Sequence, residues 1–136
     1  MIESVLEKLT KELTQAHYTK ENENLFLFEV GENLLLFIQE VEDLIYLSGN
    51  ICPCPEENLE ELFIYLMRAN LLGEGTGKAS IGLDSEENNI ILSKAFAFDP
   101  DEQHMKEEIE LFANYLLFWK EEIKKIESQR EANMLK

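Results

Sequence analysis

Apolar residues at the start of the chain recur at three- and four-residue steps: Ile2, Val5, Leu6, Leu9, Leu13 and Ala16, with Glu and Lys between them. With roughly 3.6 residues per turn, such positions share one face of a helix, so the spacing predicts an amphipathic first helix. The pattern stops before His17-Tyr18-Thr19, and the polar residues 20–24 read as a linker. The period then changes. Residues 25–30, 34–39 and 44–47 are short apolar runs separated by Gly31-Glu32-Asn33 and residues 40–43, with Ser48-Gly49-Asn50 after the last. Short runs between tight turns predict an antiparallel meander. The runs are apolar at consecutive positions, so both faces need cover: one from a helix, the other from a helix, a second subunit or a bound chain.

Pro53 and Pro55 close the meander, and Glu56-Glu57-Asn58 opens a second helix with acids in its first turn, where the helix dipole favours them. Its apolar face is Leu59, Leu62, Phe63, Leu66 and Met67, and it ends at Gly73-Glu74-Gly75-Thr76-Gly77. Three glycines in five residues cannot stay helical. Two more strands are expected over residues 78–83 and 89–95. Asp99-Pro100-Asp101 then announces a long last helix with a heptad stripe of Met105, Ile109, Phe112, Leu116, Trp119, Ile123 and Ile126. Leu111, Tyr115 and Phe118 widen that stripe, which suits packing on a sheet. The tail, residues 128–136, is expected to fray. The predicted order is α-β-β-β-α-β-β-α, a single α+β domain over residues 1–136 with helices packed on an antiparallel sheet.

Composition narrows the function. The chain has 136 residues, enough for one core, and its 45% hydrophobic content is too high for a disordered acidic tail. It carries 12 basic and 28 acidic side chains, a formal net charge of −16. Nucleic acid and anionic membrane both require a field of Lys and Arg, so neither is an expected partner. No Lys or Arg occurs between Lys20 and Arg68, against 11 acids. That stretch reads as a well-solvated surface or as one that attracts a basic partner. The start of the chain lacks an export signal, no apolar run approaches the ~20 residues of a membrane span, and the Cys content suits a reducing cytoplasm.

Catalytic candidates are few. His17 and His104 sit among polar neighbours at element ends, and Cys52-Pro53-Cys54-Pro55 has no nearby cation to activate a thiol. Two thiolates one residue apart supply half of a tetrahedral zinc site, and nothing in the spacing of the histidines completes it. The Gly73, Gly75 and Gly77 loop follows a helix and opens a strand, the reverse of a phosphate cradle. Glu56, Glu57, Glu60 and Glu61 occupy the polar face of the second helix, and Glu107-Glu108 lies outside any calcium-loop pattern. No enzyme, cofactor or metal site is expected. Surplus apolar strand surface in a highly soluble acidic chain points to a binding protein.

The element order and the stretch Leu66-Met67-Arg68-Ala69-Asn70-Leu71-Leu72-Gly73-Glu74-Gly75-Thr76-Gly77-Lys78-Ala79-Ser80-Ile81-Gly82-Leu83-Asp84 resemble the class I type III secretion chaperones of the Tir-chaperone type. In that family the middle helix similarly ends in an Asn-Leu-Leu, glycine-rich stretch leading to a strand and Gly-Leu-Asp. The Cys-Pro-Cys-Pro turn and the long charged tail depart from it. The resemblance implies a homodimer in the bacterial cytoplasm, without ATPase activity, that holds the N-terminal region of a secreted effector in extended form. It extends to contact with a secretion ATPase. By that similarity Leu59, Leu62, Phe63 and Leu66 fall at the dimer interface, and effector contacts fall on Leu6, Leu9, Leu13, Phe26, Phe28, Leu35 and Phe37. The competing reading is an acidic regulator or inhibitor of a basic partner. A thiol or metal enzyme built on Cys52 and Cys54 is a third.

Overall fold

The computed structural model describes residues 2–57, 59–73 and 75–134. Asn58 and Glu74, which the sequence places at the second helix start and in the glycine stretch, lie outside them. Helix α1 spans Ile2–Glu12, strands β1 to β4 span Ala16–Lys20, Leu25–Val30, Leu34–Val41 and Leu44–Pro53, and helix α2 spans Leu59–Asn70. A 3-10 turn at Leu71–Gly73 precedes β5 (Ser80–Leu83), β6 (Asn89–Ala97) and α3 (Glu102–Met134). The strands form one antiparallel sheet in the order β1-β2-β3-β4-β6-β5.

The expected order holds with one strand added. β1 occupies the end of the expected first helix and the beginning of the linker. Ala16 and Tyr18 face inward, His17 and Thr19 outward, and the strand pairs with β2 from Ala16↔Val30 to Lys20↔Phe26. Its polar outer row suits an edge. β4 also runs beyond the expected turn at Ser48-Gly49-Asn50, through a bulge between Asn50 and Cys52, to Pro53. Gly49 serves there to let α3 approach, because a Cβ at that position would overlap the Leu116 side chain.

One core lies on one side of the sheet. α1 contributes Ile2, Val5, Leu6 and Leu9, and the strands contribute alternate residues such as Phe26, Phe28, Leu36, Ile38, Ile45 and Leu47. From α3 come Met105, Ile109, Phe112, Leu116, Trp119 and Ile123, the heptad stripe read from the sequence, and from α2 Leu62 and Leu66. Leu111 and Phe118, expected to widen the stripe, are exposed instead. Asp101 caps α3, its carboxylate accepting from the Gln103 amide at 3.0 Å. The helix continues to Met134, past the point where fraying is expected.

Candidate functional site

The sheet has a second face that no helix covers. Strand pairing puts Leu27 beside Phe37, Glu29 beside Leu35, and Val41 beside Leu44, with Tyr46 opposite Gln39 and Ala95. Leu35, Val41, Leu44 and Tyr46 are each 37–41% exposed. Because side chains alternate across a strand, the consecutive apolar positions of β2 and β3 fill the core with one set and this open face with the other. Acids stand in the turns at its ends: Glu21, Glu23, Glu42 and Asp43 at one, Glu32 at the other. None of these five forms an ion pair among the described residues.

A second apolar surface lies on α2. Ile64, Met67 and Leu71 point outward in a stripe, Met67 being 70% exposed. Beside them Phe63, Leu66, Met67 and Asn70 of α2 face Ile81, Gly82 and Leu83 of the edge strand β5 across a cavity of about 140 Å³. Asn70 holds that edge in place. Its amide nitrogen donates to the Ile81 carbonyl at 2.8 Å, and its amide oxygen accepts from the Ile81 N–H at 2.7 Å. The glycine loop is fixed from three sides. Thr76 is buried and its hydroxyl donates to the Ala79 carbonyl, the Trp119 indole donates to the Gly75 carbonyl at 2.9 Å, and Lys94 donates to the Gly77 carbonyl at 3.2 Å. Lys94 also pairs with Glu108 at 2.8 Å, so Glu108 is a half-buried structural acid and not part of a solvated face.

The structure sorts the residues expected to bind an effector into three groups. Leu9, Leu13 and Phe28 converge on a cavity of about 250 Å³ between α1, the β2–β3 hairpin and α3, shared with Val30, Leu34 and Leu117. Leu35 and Phe37 lie on the open sheet face. Leu6, Leu9, Phe26 and Phe28 are interior residues of this chain's own core, 0%, 0%, 3% and 1% exposed, and this corrects their assignment: all four occupy the inward phase of their element, and Leu9 and Phe28 reach the cavity only as its floor. Of the expected interface residues, Leu62 and Leu66 are likewise core, 9% and 4% exposed. Phe63 and Leu66 line the α2–β5 cavity, and Leu59 is half-buried. Of this outward stripe the expected apolar face includes Met67 and lacks Ile64, and the three- and four-residue spacing from Ile64 through Met67 to Leu71 marks a second helical face.

The chemistry-bearing residues do not assemble. His17, on β1, pairs with Glu29 at 3.3 Å, while Cys52 is on β4, three strand positions or roughly 14 Å across the sheet. His104 lies about 24 Å along α3 from Lys120, a neighbour of Cys52. Burial, with help from Glu127, pushes the Cys52 thiol up to about 11 against the pull of Lys120, the reverse of an activated nucleophile. Among the described residues no group of His, Cys, Asp and Glu could hold a metal ion, and no helix is long and apolar enough to cross a membrane. Glu60 and Glu61 in the first turn of α2 are exposed, as their helical phase predicts, whereas Glu56 and Glu57, expected to open that helix, are exposed residues ahead of its start at Leu59.

Comparison with known proteins agrees with a surface built for binding. A family model described as the Tir chaperone protein (CesT) family matches residues 4–120. A protein of Chlamydia pneumoniae named by locus alone is 29% identical over 82 residues, 60% of this chain, and the match spans 62% of that relative's length. Among solved structures, a chain of the HopA1-SchA chaperone-effector complex superposes with a TM-score of 0.63 at 14% identity, covering 88% of this chain and 93% of its own. A chain of the heterodimeric ExoU-SpcU complex from the type III secretion system of Pseudomonas aeruginosa gives 0.62 at 14% identity, covering 85% and 88%. At such identities these two likenesses are of fold. By the match over residues 4–120, the chain belongs to the Tir chaperone protein (CesT) family.

Proposed function

We propose that this protein is a type III secretion chaperone: a cytoplasmic homodimer, not an enzyme, that holds the N-terminal region of a secreted effector in extended form and keeps it competent for export. The observation that carries the reading is the open sheet face, where Leu35, Val41, Leu44 and Tyr46 stand uncovered beside the half-buried Phe37 in a chain of a chaperone family. An extended client gains little from any single contact, so it needs a long apolar track to offset the entropy of ordering. That face, the cavity at Leu9, Leu13 and Phe28, and the free edge of β1 for strand addition supply such a track. The second copy docks on the outer face of α2 through Ile64, Met67 and Leu71, with Phe63 alongside. Contact with a secretion ATPase belongs to the same reading.

The test is capture of the tagged protein from its host at 0.5 M NaCl, identification of what stays bound, and limited proteolysis of the complex. The expected result is one dominant secreted protein, protected only in an N-terminal fragment, whose retention is lost in Phe37→Asp/Tyr46→Asp while the chaperone stays folded. A partner retained by that variant, or held only at low salt through basic residues, overturns the reading; the second outcome favours an acidic regulator.

A further inference from the structure

The groove between α2 and α3 belongs to neither surface described above. Tyr65 and Arg68 form its α2 wall, and Tyr115, Phe118 and Trp119 form its α3 wall around about 650 Å³. Three rings run edge to face across it. Phe118 and Trp119 are 5.3 Å apart at 89°, and Tyr65 and Trp119 are 5.8 Å apart at 74°. The floor is fixed, because the Trp119 indole N–H is engaged by the Gly75 carbonyl and the Tyr65 hydroxyl donates to Glu122 at 3.3 Å. Yet Tyr65 and Phe118 stay 43% and 49% exposed, a large uncovered area for two aromatic rings.

Arg68 gives this groove its chemistry. It is exposed, and it is the only cation in the sequence between Lys20 and Lys78. Among the described residues it has no ion pair and no hydrogen bond. In a chain of net charge −16, an arginine left without a carboxylate beside an aromatic wall is a vacant half of a recognition pair. Arg68 lies four residues after Ile64 and three before Leu71, so it borders the α2 stripe, while Tyr65 turns away from that stripe toward α3. We propose that this groove receives a peptide segment of a partner protein with an Asp or Glu next to a large apolar side chain, the apolar group between Tyr65 and Phe118 and the carboxylate on Arg68. The net negative charge of the whole molecule slows such a segment's approach. At physiological salt, however, screening over about 8 Å leaves the local pair to set the selectivity. The inference stands on the groove and is independent of the effector reading.

Trp119 is the only tryptophan in the chain, so its fluorescence reports on the groove directly. Two acetylated, amidated heptapeptides, Ser-Gly-Phe-Asp-Leu-Gly-Ser and the same sequence with Lys in place of Asp, are titrated into the full chain up to millimolar concentration. The acidic peptide is expected to give a saturable change and the basic one to bind about five-fold more weakly, the discrimination of one exposed Arg–carboxylate pair. Arg68→Glu should reverse the order, and Phe118→Ala should weaken both peptides while far-UV circular dichroism stays unchanged. Equal binding of the two peptides, or an order that Arg68→Glu leaves intact, overturns the proposal. So does a Trp119 signal that varies with protein concentration alone, which would show a second copy in the groove.

Discussion

Asn70 shows how one side chain can stand in for a strand. Its amide offers a donor and an acceptor at the spacing of a peptide unit and closes both backbone groups of Ile81 on an edge that lacks a neighbour. Asn70→Ala should therefore cost about 1–3 kcal/mol in urea denaturation, because two part-buried backbone groups lose their partner at once. The Ile81 amide should exchange faster in the same variant; unchanged exchange there would mean that β5 is held by packing alone. Tyr18 does comparable work at the opposite edge, its hydroxyl donating to Glu3 at 3.0 Å and Glu7 at 3.3 Å. Burial and these two carboxylates push its pKa from the ordinary 10.0 up to about 12. The folded form thus keeps its proton longer than the unfolded chain. The associated stability is complete below pH 10 and is lost as pH rises through about 12. Tyr18→Phe should show a smaller fall in urea midpoint between pH 9 and pH 12 than the parent, and an identical fall would remove Tyr18 from the account of alkaline unfolding.

At the scale of elements, the contact of α3 with β4 decides how close helix and sheet come. Gly49 sits where any Cβ would meet the buried Leu116 side chain, so Gly49→Ala forces that side chain out of its packed position and should cost about 1–3 kcal/mol. Leu116→Ala alone should cost about 2–5 kcal/mol by leaving a cavity. Since both changes act on the same few ångströms, the double variant should be clearly more stable than the sum of the two predicts, and simple additivity in thermal unfolding would refute the contact. This same glycine misled the sequence reading, which took Ser48-Gly49-Asn50 for a turn. Glycine marks both chain reversal and close approach, and only the partner helix distinguishes them. β1 escaped for a related reason: five residues with a polar outer row carry too little period to separate an edge strand from a linker. The long stripe of α3 from Met105 to Ile123 was legible because a heptad sustained over five turns has no strand-like alternative. The two phases of β2 and β3 were not, since residues apolar on both faces leave the choice between core and open face to tertiary packing. For that reason Phe26 and Phe37 looked equivalent in sequence and part company in the structure.

The whole molecule combines strong acidity with two uncovered apolar surfaces, and these compete. A net charge of −16 opposes association of two copies, so in the proposed dimer the α2 face has to supply enough apolar burial to overcome the repulsion. Ile64, Met67 and Leu71 with the neighbouring cavity at Phe63 and Leu83 are the part of the surface suited to that. Burial of each large apolar side chain is worth about 1.5–3 kcal/mol, and in a two-fold interface each contribution counts twice. The repulsion weakens with salt whereas the apolar contribution does not, so dimerisation should tighten from 0.05 to 0.5 M NaCl. Ile64→Glu/Met67→Glu places four new carboxylates at the two-fold contact without touching the core, since both side chains are exposed in the single chain. Sedimentation equilibrium should then give a species of 15.8 kDa in place of twice that mass, with the dissociation constant raised at least about 100-fold, or about 2.7 kcal/mol. Phe37→Asp/Tyr46→Asp should leave the dimer intact, because the open sheet face lies on a different side of the fold from the α2 stripe. If instead that variant dissociates the dimer and the α2 variant does not, the sheet face is the subunit interface, and the client must be sought on α2 and its grooves.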